Sequence, residues 1–202
     1  MPQYGEVIYN PIEVYVATLN VDNTFGTPVA IDYLGKVSFN PEADSDDLMS
    51  AGMIVETLRI AKIVTGEISQ GSLDFASLAV LCGITPGNYS TTPNRYSVAD
   101  FKMGGAGLPY FGMIIHYAST LGANAFIGFP KAKLDTIPGF ESDQNKFVIR
   151  NTGFSAVPVN TTGRNAFRIR RNETATTLAS FYGSSSANFL SYFTTPPPSL
   201  FA

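Results

Sequence analysis

The sequence predicts a mainly β, α+β domain: an antiparallel β-sandwich or barrel flanked by one α-helix at about residues 72–82. Three observations predict it. Extended segments rich in β-branched and aromatic residues recur along the chain with turn chemistry between them, as in sandwiches and barrels. One segment alone combines an apolar helical stripe with start and stop signals. No strand–helix–strand rhythm appears, which argues against a doubly wound parallel sheet. The chain has 202 residues, 45% of them hydrophobic, enough to bury one core. Residues 1–193 are assigned to a single domain and 194–202 to a Pro-rich C-terminal arm.

Glu6–Tyr9 and Ile12–Leu19 alternate with period two and read as half-buried strands. Val21–Pro28 is turn chemistry, and Val29–Tyr33 resumes the extended pattern. Ser38–Met53 is polar and acidic, holds Pro41 and Gly52, and shows no apolar period, so it reads as a long loop. Met53–Val64 is again strand-like, ended by Thr65-Gly66. In the helix, Ser72 is the expected N-cap, with Asp74 in the positive first turn. Phe75, Leu78, Ala79 and Cys82 form its apolar stripe, and Gly83 its left-handed stop. Turns follow through Arg95. Strand-like segments then occupy 109–117, 124–130, 131–137, 146–150, 153–159 and 166–170. Thr194–Ala202 contains three consecutive prolines, which cannot continue a sheet, and it carries Leu200 and Phe201 near its end. Those two residues are the candidate anchor of an arm docking on a neighbour.

Charge narrows the function. Charged residues are 14% of the chain, against roughly 25% in ordinary soluble domains. A surface so poor in charge is expected to be covered by copies of itself or by partners. The net charge of −3 argues against a nucleic-acid-coating protein. The charge is also split: residues 1–60 hold nine acids and two bases, and the remainder eleven bases and seven acids. Glu42, Asp44, Asp46 and Asp47 form the acidic cluster, and Arg164, Arg168, Arg170 and Arg171 the basic one. Opposite patches of this kind can meet between subunits, so the arginines are the candidate basic interface surface. With Phe167 and Ile169 between them, the arginines are expected on one exposed strand face and the apolar residues on a buried one.

Catalytic arrangements fail one by one. His116 is the only imidazole and lies inside an apolar strand, so it reads as a core or interface histidine. Cys82, the single cysteine, reads as a packed hydrophobe and excludes an intrachain disulfide. Gly104–Gly107 lacks the Lys-Ser/Thr of a phosphate loop. The aspartates at 44, 46 and 47 lack the glycine and distal glutamate of a calcium loop. Absent tryptophan makes a sugar-binding cleft less attractive. No enzyme activity, cofactor or metal is expected. No secretory leader is visible in Met1–Asn10, and no apolar run is long enough to span a bilayer.

Several segments, in this order, resemble the major tail protein, or tail tube protein, of long-tailed bacteriophages. They are Val14–Pro28, Val37–Glu42 with its acidic continuation, Glu56–Ile60, the helix within Gly71–Gly83, and Ile127–Leu134. The likeness covers about residues 1–180. It implies a β-sandwich with a flanking helix, subunits closing into hexameric rings, and rings stacking into a tube whose inner wall is a continuous β-barrel. It also implies that the long loop, 38–53 here, packs onto the next ring, so Glu42, Asp44, Asp46 and Asp47 become candidate inter-ring contacts. The expected setting is the virion tail, assembled in the host cytoplasm. The expected partners are other copies of the chain together with tape-measure, tail terminator and baseplate or tip proteins. Genomic DNA is expected to pass through the lumen without specific binding, and no membrane partner is expected. Two alternatives stand beside this: a tube protein of a contractile tail or secretion apparatus, and a jelly-roll-like carbohydrate-binding or adhesin module.

Overall fold

A computed structural model of the chain describes residues 8–31, 34–50, 53–70, 74–91, 94–98, 100–101, 107–119, 124–143, 146–159, 166–172 and 182–194. Its strands are β1 (Ile8–Thr18), β2 (Val29–Ala30), β3 (Leu34–Ser50), β4 (Met53–Gln70), β5 (Gly87–Thr91), β6 (Asn94–Val98), β7 (Phe111–Ser119), β8 (Asn124–Leu134), β9 (Phe140–Asp143), β10 (Lys146–Ala156) and β11 (Arg168–Asn172). Its named helices are α1 (Phe75–Cys82) and α2 (Ser186–Thr194). Among the described residues nine strands form one antiparallel sheet in the order β2-β1-β7-β8-β10-β4-β3, with β11 joined to β8 and β9 to β10. β5 and β6 pair separately as a hairpin.

Around β1, β7 and β8 the sheet is buried on both faces. Along β7, Phe111, Met113 and Ile115 enter one apolar cluster with Val14, Val16, Phe129, Phe154 and the α1 residues Val80 and Leu81. The intervening Ile114 enters a second cluster with Ala17, Phe25, Phe126 and the α2 residues Phe189 and Tyr192. Alternate side chains of a strand point to opposite faces, so α1 covers one face and α2 the other. Burial on both sides explains why residues 111–116 read as a continuous apolar run rather than an alternating one. β1 and β3 also touch, although four strands separate them in the sheet order, so the sheet coils strongly about the α1 side.

Close approach of α2 requires glycine on the sheet beneath it. A Cβ at Gly112 would lie 2.8 Å from the Phe189 ring, and one at Gly128 would run into the rings of Tyr192 and Phe193. Pro130 sits in β8 where the β7 register slips between Phe111/Ala132 and Met113/Phe129, an irregularity that tolerates a missing ladder donor.

Several sequence expectations change here. The chain has two described helices, not one. The N-cap of α1 is Asp74, whose carboxylate accepts from the Ala76 and Ser77 amides; Ser72 lies outside the described residues. Gly83 does stop α1, with φ of 68°. The buried residues of α1 are Ser77, Leu78, Val80 and Leu81; of the expected stripe, Leu78 is buried and Cys82 is half-buried against the core, but Phe75 and Ala79 are not buried. Apolar residues surround this helix, so periodicity could not select its face. β4 runs through Thr65-Gly66 instead of ending there, because both residues pair with β3 on one side and β10 on the other, and glycine at 66 leaves room for the Phe154 ring.

The largest correction concerns 38–53, expected as a loop. Residues 34–50 are strand, paired residue by residue with β4 from Leu34↔Gln70 to Ser50↔Met53. The acidic leg lacks an apolar period of its own. Its conformation is set by the ladder to β4, a β-branched and aliphatic partner.

Candidate functional site

The long β3–β4 hairpin has two parts. At its base, β10 pairs with β4 from Val64 to Gln70, so this part belongs to the sheet. Beyond Glu42↔Ile63, among the described residues, β3 and β4 pair only with each other. Eight further residues of β3, at about 3.3 Å each, extend the hairpin by roughly 26 Å. The register shifts between Glu42↔Ile63 and Ala43↔Ala61, leaving Lys62 of β4 opposite no partner. Such an irregularity bends a ladder where it leaves a sheet. An isolated two-stranded hairpin is only marginally stable in water. Like the separate β5–β6 hairpin, this arm has no further strand partner among the described residues.

All four acids of the predicted cluster lie on this arm or at its root. Glu42 is exposed, and its carboxylate accepts a 2.9 Å hydrogen bond from the Thr65 hydroxyl. Asp44 stands opposite Ile60, Asp46 opposite Leu58 and Asp47 opposite Thr57. The arm thus joins an acidic leg to an aliphatic one. Pro41 and the acids keep β3, an edge strand of the sheet, from indiscriminate pairing.

The predicted arginine surface is arranged differently. On β11, Ile169 is 60% exposed while Arg168 and Arg170 are half-buried, the reverse of the alternation expected there, although Phe167, just before the strand, packs against the core as expected. The Arg168 guanidinium donates to the Tyr192 carbonyl at 2.7 Å, within the last turn of α2, where cations meet the helix's unpaired carbonyls. Arg170 donates to the Tyr182 hydroxyl at 2.9 Å. The Tyr192 hydroxyl in turn lies 2.8 Å from the Arg168 carbonyl and 3.0 Å from the Phe126 carbonyl. Burial pushes the Tyr192 phenol well above its ordinary range, so it stays a neutral donor. Arg168 fastens α2 to the sheet of its own subunit, and Arg170 ties the sheet to Tyr182, which precedes α2. Arg171 is placed on β11 opposite Ala125. Arg164, Leu200 and Phe201 lie outside the described residues, and Thr194, assigned to the C-terminal arm, closes α2.

Sequence reasoning missed α2 and, with it, what the arginines do. The available signal was Phe189, Tyr192 and Phe193 at helical spacing, after Ser185, whose hydroxyl accepts from the Asn188 amide. It also missed a surface on β8. Lys131 and Lys133 both place their ammonium groups against the Tyr110 ring, at 4.5 and 5.6 Å from its centre.

The remaining reactive groups are packed rather than assembled. His116 is buried and stacks on Phe126 at 4.8 Å, with Nδ1 3.8 Å from the Glu13 carboxylate. Cys82 is half-buried, and desolvation raises its thiol to about 11. An open recess of about 410 Å3 at the hairpin base brings Glu67 and Asp135 together, with no imidazole or thiol in its lining. Among the described residues no group of three or more His, Cys, Asp and Glu side chains could hold a metal ion. No described helix is long and apolar enough to cross a membrane. No protein-family model matches the chain, and no curated protein sequence matches it.

Proposed function

We propose that this chain is a tail tube subunit of a long-tailed bacteriophage, a structural virion protein that polymerises into a hollow conduit for genomic DNA. The observation that carries this reading is the β3–β4 arm, which leaves the sheet and pairs only with itself among the described residues. A marginal two-stranded hairpin becomes well supported when a second copy covers it. In this reading lateral contacts close a ring, hexameric as in the proteins the sequence resembles. The arms then reach the next ring, and DNA passes through the lumen without specific binding. The low charge content, 14%, fits a surface largely consumed by self-association. The mechanism is assembly and electrostatics, with no bond chemistry.

Electron microscopy of concentrated protein in negative stain tests the reading. Rings or hollow filaments are expected from the natural chain. A variant with residues 43–61 replaced by a short Asn-Gly turn should stay folded and give no filaments, single rings at most. Filaments from the shortened variant would remove the arm's role. Dispersed single particles from the natural chain at every concentration would remove the tube.

A further inference from the structure

The acidic leg of one copy cannot pair comfortably with the acidic leg of another. Glu42, Asp44, Asp46 and Asp47 all stand on β3, whereas Arg59 and Lys62 stand on the β4 leg, and like charges placed opposite each other destabilise a strand pair. A surface complementary to the β3 leg carries positive charge. Among the described side chains the bases are Lys36, Lys131, Lys133, Arg168 and Arg170. The two arginines are engaged within their own subunit, Arg168 with the Tyr192 carbonyl and Arg170 with the Tyr182 hydroxyl. Lys36 stands on β3, the strand that carries the acids. Lys131 and Lys133 form a pair on β8, with the fully buried Ala132 between them, so both leave the same outward side of the strand. Tyr110, 41% exposed, lies under both ammonium groups. Among the described residues no carboxylate is within ion-pair distance of either lysine.

We propose that Lys131, Lys133 and Tyr110 form the docking face for the acidic leg, Glu42–Asp47, of a second copy of this chain. This rests on the assembly reading above and names the acceptor it requires. The spacing matches. Two residues along a strand cover about 6.6 Å, which separates Lys131 from Lys133 on β8 and Asp44 from both Glu42 and Asp46 on β3. The Tyr110 ring holds the ammonium groups in place before the partner arrives, so less side-chain freedom is lost on docking. Donor and acceptor are different surfaces. Such a head-to-tail contact propagates instead of closing into a dimer, as a growing tube requires.

The test is a charge exchange in the full chain, read by sedimentation and electron microscopy. The Lys131→Glu/Lys133→Glu variant should keep the natural melting temperature and need at least about tenfold more protein to assemble. The Asp44→Lys/Asp46→Lys variant should behave likewise. An equimolar mixture of the two should assemble near the natural threshold, because each variant then supplies what the other lacks. Lys131→Gln/Lys133→Gln keeps the proposal testable if charge reversal disturbs folding, and it should weaken assembly in the same direction. Natural assembly by the lysine variants, or a mixture that stays monomeric, overturns the docking assignment while leaving the tube intact. A natural chain that never assembles overturns both. Binding of a fluorescein-labelled DNA duplex that the lysine changes abolish, with assembly untouched, would make the face a nucleic-acid platform and also overturns the assignment.

Discussion

Tyr192→Phe is the most informative single-atom change in this fold. Tyr192 is fully buried between α2 and the sheet, and its ring occupies the space above Gly128. Its hydroxyl reaches the carbonyls of Phe126 on β8 and Arg168 on β11, at 3.0 and 2.8 Å. Removing the oxygen leaves the ring packing in place and deprives two strand carbonyls of their shared donor. The cost of leaving a buried acceptor short is about 1–2 kcal/mol. For a chain of this length that corresponds to a fall in Tm of roughly 2–8 °C. Tyr192→Ala also removes the ring and should cost about 3–5 kcal/mol. Urea unfolding of dilute protein, followed by far-ultraviolet circular dichroism, measures both, with the m-value of Tyr192→Phe unchanged. If Tyr192→Phe proves as stable as the natural chain, the hydroxyl does not tie α2 to the two strands and that part of the packing argument fails.

Two further predictions follow from α1. Asp74→Ala removes the side-chain acceptor of the Ala76 and Ser77 amides and should cost about 1 kcal/mol in urea unfolding, while Asp74→Ser should recover most of it. The Cys82 thiol, raised by burial from its ordinary 9 to about 11, is favoured in its neutral form by the fold. Its contribution to stability is therefore complete below pH 9 and is lost as pH rises toward 11. Iodoacetamide labelling followed by mass spectrometry should show native Cys82 turning reactive near pH 11, against near pH 9 in urea. Equal pH profiles in the two states would contradict this.

Much of the sheet was legible because β-branched and aromatic alternation survives wherever a strand has one apolar side. The segments at 109–117 and 124–130 became β7 and β8, and Gly83 stopped the helix where a left-handed residue was required. What escaped was set by tertiary partners. Residues 43–50 carry no strand pattern and are extended because β4 offers them a ladder. α2 is rich in serine and asparagine, weak helix formers, and takes its shape from Phe189 and Tyr192 packing on glycines 112 and 128. At β11 the alternation defined two faces but not which one would meet α2, so Arg168 and Arg170 turned inward and Ile169 outward. The acidic residues 42–47, expected on a loop, stand on a strand. The Lys131–Lys133–Tyr110 surface depends on a fold contact between residue 110 and β8 that local pattern cannot reveal.

Sedimentation velocity of the purified chain over a wide concentration series, beside the variant shortened at residues 43–61, bears most directly on the claim that copies of this protein complete one another. The natural chain should pass from its 21.7 kDa monomer to rings and larger species as concentration rises, while the shortened one forms no stacked species. A natural chain that remains at monomer mass throughout, or a shortened one that associates equally well, would contradict the account.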